Sequence, residues 1–412
     1  MKKRSLKIWL IKVGEQLPIA NNQKMRTALL AEKLLNRGAS VVWWTSAFDH
    51  FKKGWLFPKD KEINLDGGLK IMALKGCGYR RNFSLLRFID HRLLAKKFKS
   101  ISHQLENPDI IVSANPPYDL AKEAVDFAKE RDIPIIIDIR DQWPDTFLAY
   151  TPKLMRSFAR LVLANEFRMN TYVLREADCL TSMMETLLEW GLKCAGRQRT
   201  DLDKVFYLGA EKMEEVPRSE KIDSLKKQLE GKFIVVFVGT FGMRNNPAIL
   251  VDAARSFANN NVIFVLGGDG IYFKEVKRKA EILPNVVLTG WLQQNDITAL
   301  LKRAHVGVIP NSEEFAAFPN KAFAYISAGL PIISSCQGEL KKIIEDARIG
   351  LNYRPRDVNT LTECLRYFLD NQEVYGQYAE RVRNLFKAKF DSEVIYNSFA
   401  DHIENIVERR KM

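Results

Sequence analysis

The chain has 412 residues, of which 46% are hydrophobic and 27% are charged, so it contains enough apolar material for two or three globular domains. Lys and Arg outnumber Asp and Glu by 63 to 50, and the resulting net charge of +13 favours nucleic acid, an anionic membrane surface or a phosphorylated ligand as a partner. No stretch approaches the ~18 consecutive apolar residues of a spanning helix, and the basic N-terminus lacks the small-residue cleavage site of a signal peptide. The five cysteines form no Cys-x-x-Cys pairs, which is typical of free thiols in a reducing cytosol.

In the first half of the chain, short β-branched runs alternate with amphipathic helices, the pattern of a parallel α/β sheet. In chain order, the predicted elements are a strand at 6–13, a helix at 23–37, a strand at 39–44, a strand at 109–113, a helix at 118–131 and a strand at 134–139. Gly38 ends the first helix, as a C-terminal glycine does. The last strand has little polar interruption, which indicates a sheet covered on both faces.

The composition changes near residue 200, where 196–201 and 211–226 are polar and highly charged. A second alternating series follows, with strands at 233–238, 262–266, 286–288, 306–309 and 331–333 and helices at 247–257, 272–281, 296–303 and 321–327. The sequence therefore predicts an α/β fold of two doubly wound, Rossmann-like domains facing a central cleft at the carboxyl ends of both sheets. The expected divisions are a first domain at 1–195, a linker at 196–220, a second domain at 221–385 and a C-terminal helix at 386–412 that packs back on the first domain.

Four features follow successive strands of the second domain. They are the glycine-bearing turn Gly239–Gly242, the run Gly268-Asp269-Gly270, the loop Trp291-Leu292 and the helix start at Asn320-Lys321. Glycines let the backbone approach a phosphate, and free N–H groups and an ammonium at a helix start favour an anion. Taken singly, each feature is equally compatible with an ordinary turn or a core contact, but together they would line one wall of a ligand site.

In order and spacing, these motifs resemble the donor domain of family-four glycosyltransferases with the GT-B fold. The first domain resembles the bacterial cell-surface polysaccharide branch of that family. The matching stretches of the first domain are Gly14-Glu15-Gln16-Leu17-Pro18, Trp43 to His50, Asp138 to Asp145, Glu189 to Lys193, Gly196-Arg197 and Tyr207-Leu208-Gly209.

The resemblance implies a retaining, metal-independent transferase that needs no cofactor and takes a nucleotide-diphosphate sugar as its donor. Lys321 and the 239–242 backbone would hold the diphosphate, and the Trp291-Leu292 loop would hold the base. The implied donor-binding residues are Gly239, Thr240, Gly242, Arg244, Gly268, Asp269, Trp291, Leu292, Asn320, Lys321 and the residue at position 324. The expected catalytic residues are Asp141, beside the reacting sugar, and Glu15, in a loop that closes over the donor.

One departure from the family pattern concerns its Glu-x7-Glu motif. The second glutamate, which is expected to bind the donor ribose, is replaced here by Ala324, and the first by Ala316; Glu313 and Glu314 are out of register. Loss of charged hydrogen bonds to two hydroxyls would weaken donor binding by roughly ten- to hundredfold. We therefore expect a weakened enzyme, with a non-catalytic nucleotide-sugar-binding relative or a sugar-nucleotide epimerase as alternatives.

Basic segments of the first domain bear on the acceptor. Residues 79–83, 92–99 and 153–168 combine Lys and Arg with apolar side chains, which suits an anionic bilayer surface as well as ordinary solvated faces. The expected acceptor is lipid-linked or a polysaccharide, as in O-antigen or capsule synthesis, and the expected location is the cytoplasmic, inner face of the membrane. The sequence shows no base-stacking platform or major-groove helix, so nucleic acid is not an expected partner. Asp201-Leu202-Asp203 has the Asp-x-Asp spacing of a metal site but lies in the polar linker.

Overall fold

The computed structural model describes residues 5–19, 24–82, 84–149, 151–213, 217–311 and 318–411. The chain divides into two compact units, Met1–Tyr207 with Tyr396–Met412 and Leu208–Ile395, which we call unit 1 and unit 2. The division between Tyr207 and Leu208 falls within the stretch 196–220 that the sequence placed between domains. Residues 312–317, which include Ala316, Glu313 and Glu314, lie outside the described part of the chain.

Unit 1 is built on a mostly parallel sheet. Its strands are β1 Lys7–Ile11, β2 Ser40–Ser46, β5 Lys61–Leu65, β6 Leu69–Leu74, β7 Ile110–Asn115, β8 Ile135–Ile139, β9 Cys179–Ser182 and β10 Lys204–Val205, with a separate hairpin of β3 Phe48–Asp49 and β4 Gly54–Trp55. The order across the sheet is β10-β9-β8-β7-β1-β2-β6-β5, and only β5 runs antiparallel to its neighbour. The order reverses between β1 and β7, which is where sheets of this type bind ligands.

Helices cover both faces of this sheet. They are α1 Arg26–Asn36, α2 Leu85–Ser102, α3 Tyr118–Arg131, α4 Asp145–Ala149, α5 Arg156–Val162, α6 Ala164–Glu176 and α7 Glu185–Ala195. The core on one face is aromatic: Trp9 stacks on Phe127 at 5.2 Å, and Phe98 meets Trp44 edge-on at 4.8 Å. The last helix, which we number α17 (Ser392–Lys411), places Phe399 against Phe206 at 4.3 Å.

Unit 2 is a six-stranded sheet in which all pairs are parallel. Its strands are β11 Phe233–Val238, β12 Val262–Gly267, β13 Val286–Gly290, β14 Val306–Ile309, β15 Ile332–Ser334 and β16 Gly350–Asn352. Across the sheet the order is β13-β12-β11-β14-β15-β16, which is the Rossmann order 3-2-1-4-5-6 counted from β11. The strand order reverses between β11 and β14, so the loops that follow these two strands mark the expected ligand site.

The helices of unit 2 complete the doubly wound layers. They are α8 Glu220–Asp223, α9 Lys226–Leu229, α10 Ala248–Ala254, α11 Phe273–Ala280, α12 Gln294–Leu301, α13 Asn320–Ser327, α14 Glu339–Ala347, α15 Val358–Asp370 and α16 Gln372–Leu385, which continues as a π turn at Phe386–Phe390. Buried apolar residues of β11, β12, α10 and α15 form one core. In the described part of the chain, no helix combines the length and apolar character that crossing a membrane requires.

Two polar segments that the sequence treated as linker carry regular structure. Residues 204–205 form the edge strand β10, and the stretch 211–226 contains α8 and the start of α9. Ser219 caps α8, where its hydroxyl accepts a hydrogen bond from the Ile222 amide and donates one to Asp296. Such capping bonds depend on single polar residues and not on hydrophobic periodicity, so they give no signal in an apolar pattern.

Candidate functional site

The reversal of strand order in unit 2 brings two glycine turns together. Gly239 follows β11 with a φ of +148°, and Gly268 follows β12 with a φ of +144°. A Cβ built on Gly268 would lie 1.9 Å from the Gly239 carbonyl oxygen, and one on Gly270 would lie 2.6 Å from the Phe241 carbonyl oxygen. Close contact with the neighbouring loop therefore requires glycine at positions 268 and 270. Of the three glycines, only Gly239 faces a charged side chain.

That side chain is Lys321, the second residue of α13. A Cβ on Gly239 would lie 2.9 Å from the Lys321 Nζ, so the absence of a side chain there makes room for the ammonium. Nζ lies 4.0 Å from the centre of the Phe237 ring and donates a hydrogen bond to Asn245 Oδ1 at 3.3 Å. Asn245 itself bridges to Asn311, which connects the loop after β11 with the loop after β14.

Lys321 lacks a counter-ion among the residues that the structure describes. No carboxylate there comes within 4.0 Å of its ammonium, and burial lowers the pKa of Lys321 to about 7. Isolated cations in a partly dehydrated place are costly unless they are paired. Because it lies at the start of α13, the positive end of the helix dipole, this position is suited to an anion.

The helix that carries Lys321 is fixed to the sheet by Tyr325. The Val238 amide donates a hydrogen bond to the Tyr325 hydroxyl at 3.1 Å, one turn after Lys321 on the same helix. Gly307 in β14 accommodates the ring, because a Cβ there would come within 2.4 Å of it. Tyr325 is fully buried, so the start of α13 is held at the ends of β11 and β14.

The remaining predicted donor residues differ in exposure. Leu292 is buried against Gly267, whereas Thr240, Arg244 and Asn320 are exposed and the Trp291 side chain is 64% exposed. The exposed ring of Trp291 can stack on a planar ligand. Gly242 lies in the same turn, where its amide donates to the Thr240 carbonyl.

Asp269 and Ala324 have fewer side-chain groups available to bind a donor than the other predicted donor-binding residues. The Asp269 carboxylate accepts a hydrogen bond from the Gly270 amide at 2.7 Å, and its backbone oxygen accepts one from Phe241. Ala324 lies half-buried on α13, three residues after Lys321, and its backbone oxygen accepts from Ala328. Position 324 thus has no side-chain group that can bind a hydroxyl.

In unit 1, the two expected catalytic acids have different environments. Glu15 is 5% exposed, and its carboxylate accepts hydrogen bonds from the Thr27 amide at 3.0 Å and from Arg140 at 3.2 Å. Asp141 is exposed at the end of β8, where it accepts hydrogen bonds from the Gln142 amide at 2.7 Å and the Thr146 hydroxyl at 3.0 Å. Glu15 is held at the start of α1, whereas Asp141 stays open to solvent.

A buried ion network underlies Glu15. Asp138 in β8 binds Arg26 through two hydrogen bonds, at 3.0 and 3.2 Å, and its Oδ2 lies 2.5 Å from Arg140 Nε. Burial alone would raise the pKa of Asp138, but the guanidinium groups of Arg140 and Arg26 hold it well below its usual value. Arg140 thus connects Asp138 with Glu15 and positions both.

Several partners in these sites were not predicted from the sequence. Phe237, Asn245 and Tyr325 surround Lys321, and Arg26 and Asp138 form the network in unit 1. A charged residue within the otherwise apolar strand 134–139 was the available signal for Asp138. Asn245 gave no comparable signal, since its contact with Lys321 spans 76 residues of chain.

Two other features, the Asp-x-Asp spacing and a pocket in unit 2, contain none of the predicted donor-binding or catalytic residues. The described residues contain no cluster of three or more His, Cys, Asp and Glu side chains arranged for a metal ion, and the Asp203 carboxylate is engaged by Arg197 at 2.7 Å. A pocket of about 700 Å³ in unit 2 is lined by Phe233, His305 and Tyr375, among others. It lies at the amino ends of β11 and β14, the opposite edge of the sheet from Lys321.

Comparison with curated proteins relates part of the chain to sugar-transferring enzymes. Over 123 residues it is 28% identical to glycogen synthase of Mycobacterium tuberculosis, which covers 30% of this chain and 29% of that protein. Over 161 residues it is 33% identical to UDP-Gal:alpha-D-GlcNAc-diphosphoundecaprenol alpha-1,3-galactosyltransferase of Escherichia coli. This match covers 37% of this chain and 40% of that protein. The chain therefore matches less than half the length of either relative.

Similarity to solved structures extends over the whole chain. Sucrose-phosphate synthase from Thermosynechococcus elongatus superposes with a TM-score of 0.72 at 18% identity, over 98% of this chain and 100% of that one. Anabaena HepE, solved in complex with UDP, gives a TM-score of 0.66 at 15% identity, over 97% and 100%. At these identities the similarity shows the fold alone, which is GT-B. The model of the family "Glycosyl transferases group 1" matches residues 232–371, which lie within unit 2.

Proposed function

We propose that this protein is a retaining, metal-independent glycosyltransferase that uses a nucleotide-diphosphate sugar. The observation that carries the proposal is the Lys321 ammonium, placed against Gly239 where the strand order reverses and without a carboxylate among the described residues. A diphosphate would supply the missing negative charge. The position of Lys321 at the start of a helix is typical of phosphate-binding sites.

The proposed chemistry assigns Lys321 to the leaving group. The bond between the anomeric carbon and the diphosphate oxygen breaks, the acceptor hydroxyl oxygen bonds to that carbon, and the hydroxyl proton leaves with the nucleoside diphosphate. Negative charge grows on the diphosphate during bond cleavage, and the ammonium and the N–H groups of α13 would stabilise it. Glu15 and Asp141 are the proposed acidic groups of unit 1, and the retaining outcome rests on the family resemblance.

The two comparisons support a uridine nucleotide and a lipid-linked acceptor. The name of the Escherichia coli relative specifies UDP-galactose and a diphosphoundecaprenol acceptor, and HepE was solved with UDP. We propose a corresponding role in bacterial surface polysaccharide synthesis, with a lipid-linked or polysaccharide acceptor.

An exposed apolar surface on unit 1 fits such an acceptor. Leu154, Phe158 and Leu161 are 100%, 65% and 72% exposed on and just before α5, and Arg156 and Arg160 lie in the same helix. Apolar side chains flanked by cations suit the interface of an anionic bilayer. We therefore propose that this α5 surface lies on the inner face of the membrane.

Ala324 favours a second candidate, a non-catalytic relative that binds nucleotide sugars. The residues after β11 and at the start of α13 would still hold a diphosphate, while the ribose would lack the carboxylate expected at position 324. The two candidates agree on donor binding and differ only in transfer.

A panel of nucleotide-diphosphate sugars tests the proposal by thermal shift, on the natural chain and on Ala324→Glu. We expect at least one uridine nucleotide to raise Tm, and Ala324→Glu to bind it about ten- to hundredfold more tightly because it restores charged hydrogen bonds to the ribose. Sugar transfer to a lipid-linked acceptor, or hydrolysis of the donor, should rise in the same variant. No shift at millimolar nucleotide would contradict the proposal; binding without transfer or hydrolysis in either chain would support the non-catalytic candidate.

A further inference from the structure

A second group of cations lies in unit 1, at the edge where its strand order also reverses. Lys12 follows β1 directly, Lys53 lies in the β3–β4 hairpin, and Arg87 lies in the first turn of α2. Lys53 Nζ and Arg87 Cζ are 5.0 and 5.4 Å from the centre of the same ring, that of Tyr79. Arg87 also lies 4.4 Å from the centre of the Trp143 ring.

Among the residues that the structure describes, these three cations form no ion pair with an acid. Across the described part of the chain, no carboxylate comes within 4.0 Å of Lys12, Lys53 or Arg87. Instead, Lys53 donates to Asn82 Oδ1, and Arg87 Nη1 donates to the Asn82 carbonyl at 3.1 Å. The Arg87 Nε is buried with no hydrogen-bond partner among the described atoms.

The acids around these cations are engaged by other groups. Glu15, whose charge acts on Lys12, accepts hydrogen bonds from the Thr27 amide and from Arg140. Asp90 accepts a hydrogen bond from the Gly78 amide at 2.7 Å, and Asp49 accepts one from the Phe51 amide at 2.8 Å. Asp141 caps the turn after β8, as described above. These carboxylates are therefore engaged by backbone amides, by the Thr146 hydroxyl in the case of Asp141, or by Arg140 in the case of Glu15.

Two histidines beside the cations are neutral. Burial, together with the charges of Arg87, Lys53 and Lys12, lowers the pKa of His50 to about 4. Burial and the charge of Arg87 lower the pKa of His91 to about 3. His50 Nδ1 lies 2.6 Å from the Tyr79 hydroxyl oxygen. The two side chains are therefore polar neighbours of the cations that add no charge.

A buried hydroxyl provides a separate indication of a ligand. Tyr118 begins α3, three residues after the end of β7 at Asn115, and is 1% exposed. Its hydroxyl has no hydrogen-bond partner among the described residues, and its ring lies 6.4 Å from that of Trp143. Native proteins rarely leave such a group unsatisfied unless water or a ligand completes it.

We propose that Lys12, Lys53 and Arg87 bind a phosphate or diphosphate group of the acceptor. Three cations without carboxylates would neutralise such a group, and the buried Arg87 Nε is a donor for a phosphate oxygen. The role as an acceptor site rests on the proposed glycosyltransferase function; binding of the anion does not. The same chemistry belongs to a lipid-linked diphosphate and to a soluble phosphorylated sugar.

Inorganic pyrophosphate, titrated calorimetrically into the full chain, tests the site. A Lys321→Met background removes the proposed donor site of unit 2, so the affinity that remains reports on unit 1. We expect Arg87→Met in that background to raise the Kd for pyrophosphate by about ten- to hundredfold, Lys12→Met to weaken binding as well, and Arg87→Lys to weaken it less than Arg87→Met. Lys96→Met, which removes an exposed cation from the same helix, should leave the Kd unchanged.

The outcomes separate this site from the donor site. If Lys321→Met alone abolishes pyrophosphate binding, or if Arg87→Met binds as tightly as Lys96→Met in that background, the unit 1 site is wrong. If UDP does not bind to the natural chain but pyrophosphate binding depends on Arg87, the anion site is supported and the transferase proposal is wrong. Farnesyl diphosphate and glucose 6-phosphate then identify the source: tighter binding of the first indicates a lipid-linked acceptor, and of the second a soluble sugar phosphate.

Discussion

Lys321 is a half-buried ammonium whose described neighbours include an amide oxygen and an aromatic ring but no carboxylate. Removing a cation from water without pairing it disfavours the charged form, which explains why the pKa of Lys321 falls to about 7. A diphosphate beside it would reverse this effect, because an opposite charge at close range favours the protonated form. Nucleotide binding should therefore take up a proton at alkaline pH.

The corresponding prediction concerns the pH dependence of UDP affinity. Above pH 7, Lys321 must be protonated before it pairs with UDP, so the Kd should rise with pH by up to about tenfold per unit. The UDP phosphates are largely ionised above pH 7, because the second pKa of a terminal phosphate is about 6. Burial raises the pKa of Cys336, the thiol that interacts with Lys321. Calorimetry from pH 6 to 9 measures the trend. Lys321→Arg, which stays charged, should show a flat profile; an equally flat profile in the natural chain would contradict this role.

Residue identities in these sites were only partly predictable. Lys321 and Gly239 could be predicted because the helix start and the glycine turn are local patterns. Asn245 and Tyr325 could not, because their contacts join segments 76 and 87 residues apart. The packing of the glycines at 268 and 270 against the neighbouring loop was not predicted, and their approach to a ligand stays a prediction.

Strands and helices place these residues, and β8 shows how. Its buried carboxylate, Asp138, binds Arg26 of α1 and Arg140 at its own end, and Arg140 in turn binds Glu15. Arg26 and Asp138 are 1% and 2% exposed, so neither can exchange its partner for water. This network connects the start of α1 with the strand edge where the expected catalytic acids lie.

Removal of Asp138 should therefore be strongly destabilising. Asp138→Asn leaves the buried Arg26 guanidinium without its carboxylate and Arg140 with Glu15 alone, and we expect a loss of ~3–5 kcal/mol in the free energy of unfolding. Urea denaturation at pH 7 measures it. Asp141→Asn, three residues later and exposed, is the control: it should change stability by less than ~1 kcal/mol while lowering transfer. Equal stability of the two variants would contradict the structural role of Asp138.

The stability that Asp138 contributes should depend on pH, and the direction follows from its pKa. The folded-state pKa of Asp138 is depressed below its ordinary value of 3.8, so its stabilisation is present above about pH 4 and is lost as the pH falls below it. The difference in stability between the natural chain and Asp138→Asn should shrink accordingly in acid.

At the level of elements, the buried strands were the most predictable part. Strands β11 and β14 have the predicted bounds, because each is a largely apolar run that ends before a glycine or a proline, Gly239 and Pro310. The strands β3 to β6 and the helix α2 were not delimited from the sequence. Several apolar residues of α2 face solvent, including Leu85, Leu86 and Ile89, which obscures the helical periodicity.

For the molecule as a whole, the proposed membrane contact depends on one exposed surface. Leu154→Asp with Leu161→Asp should reduce binding to vesicles that contain anionic phospholipid, since both side chains are exposed and would enter the bilayer interface. Co-sedimentation measures the bound fraction. Ile271→Asp with Ile282→Asp makes the same change at exposed positions of unit 2, and should have no effect. Equal losses in both pairs would exclude a specific α5 surface.

The affinity of the full chain for UDP, measured by calorimetry at pH 7 with and without Lys321, tests the central claim most directly. Lys321→Met should raise the Kd by about ten- to hundredfold, because it removes a charged hydrogen bond to the diphosphate. Lys302→Met, which removes an exposed lysine at the opposite end of the unit 2 sheet, should bind UDP as the natural chain does. If Lys321→Met and Lys302→Met bind UDP equally well, Lys321 does not hold the diphosphate and the proposed donor site is wrong.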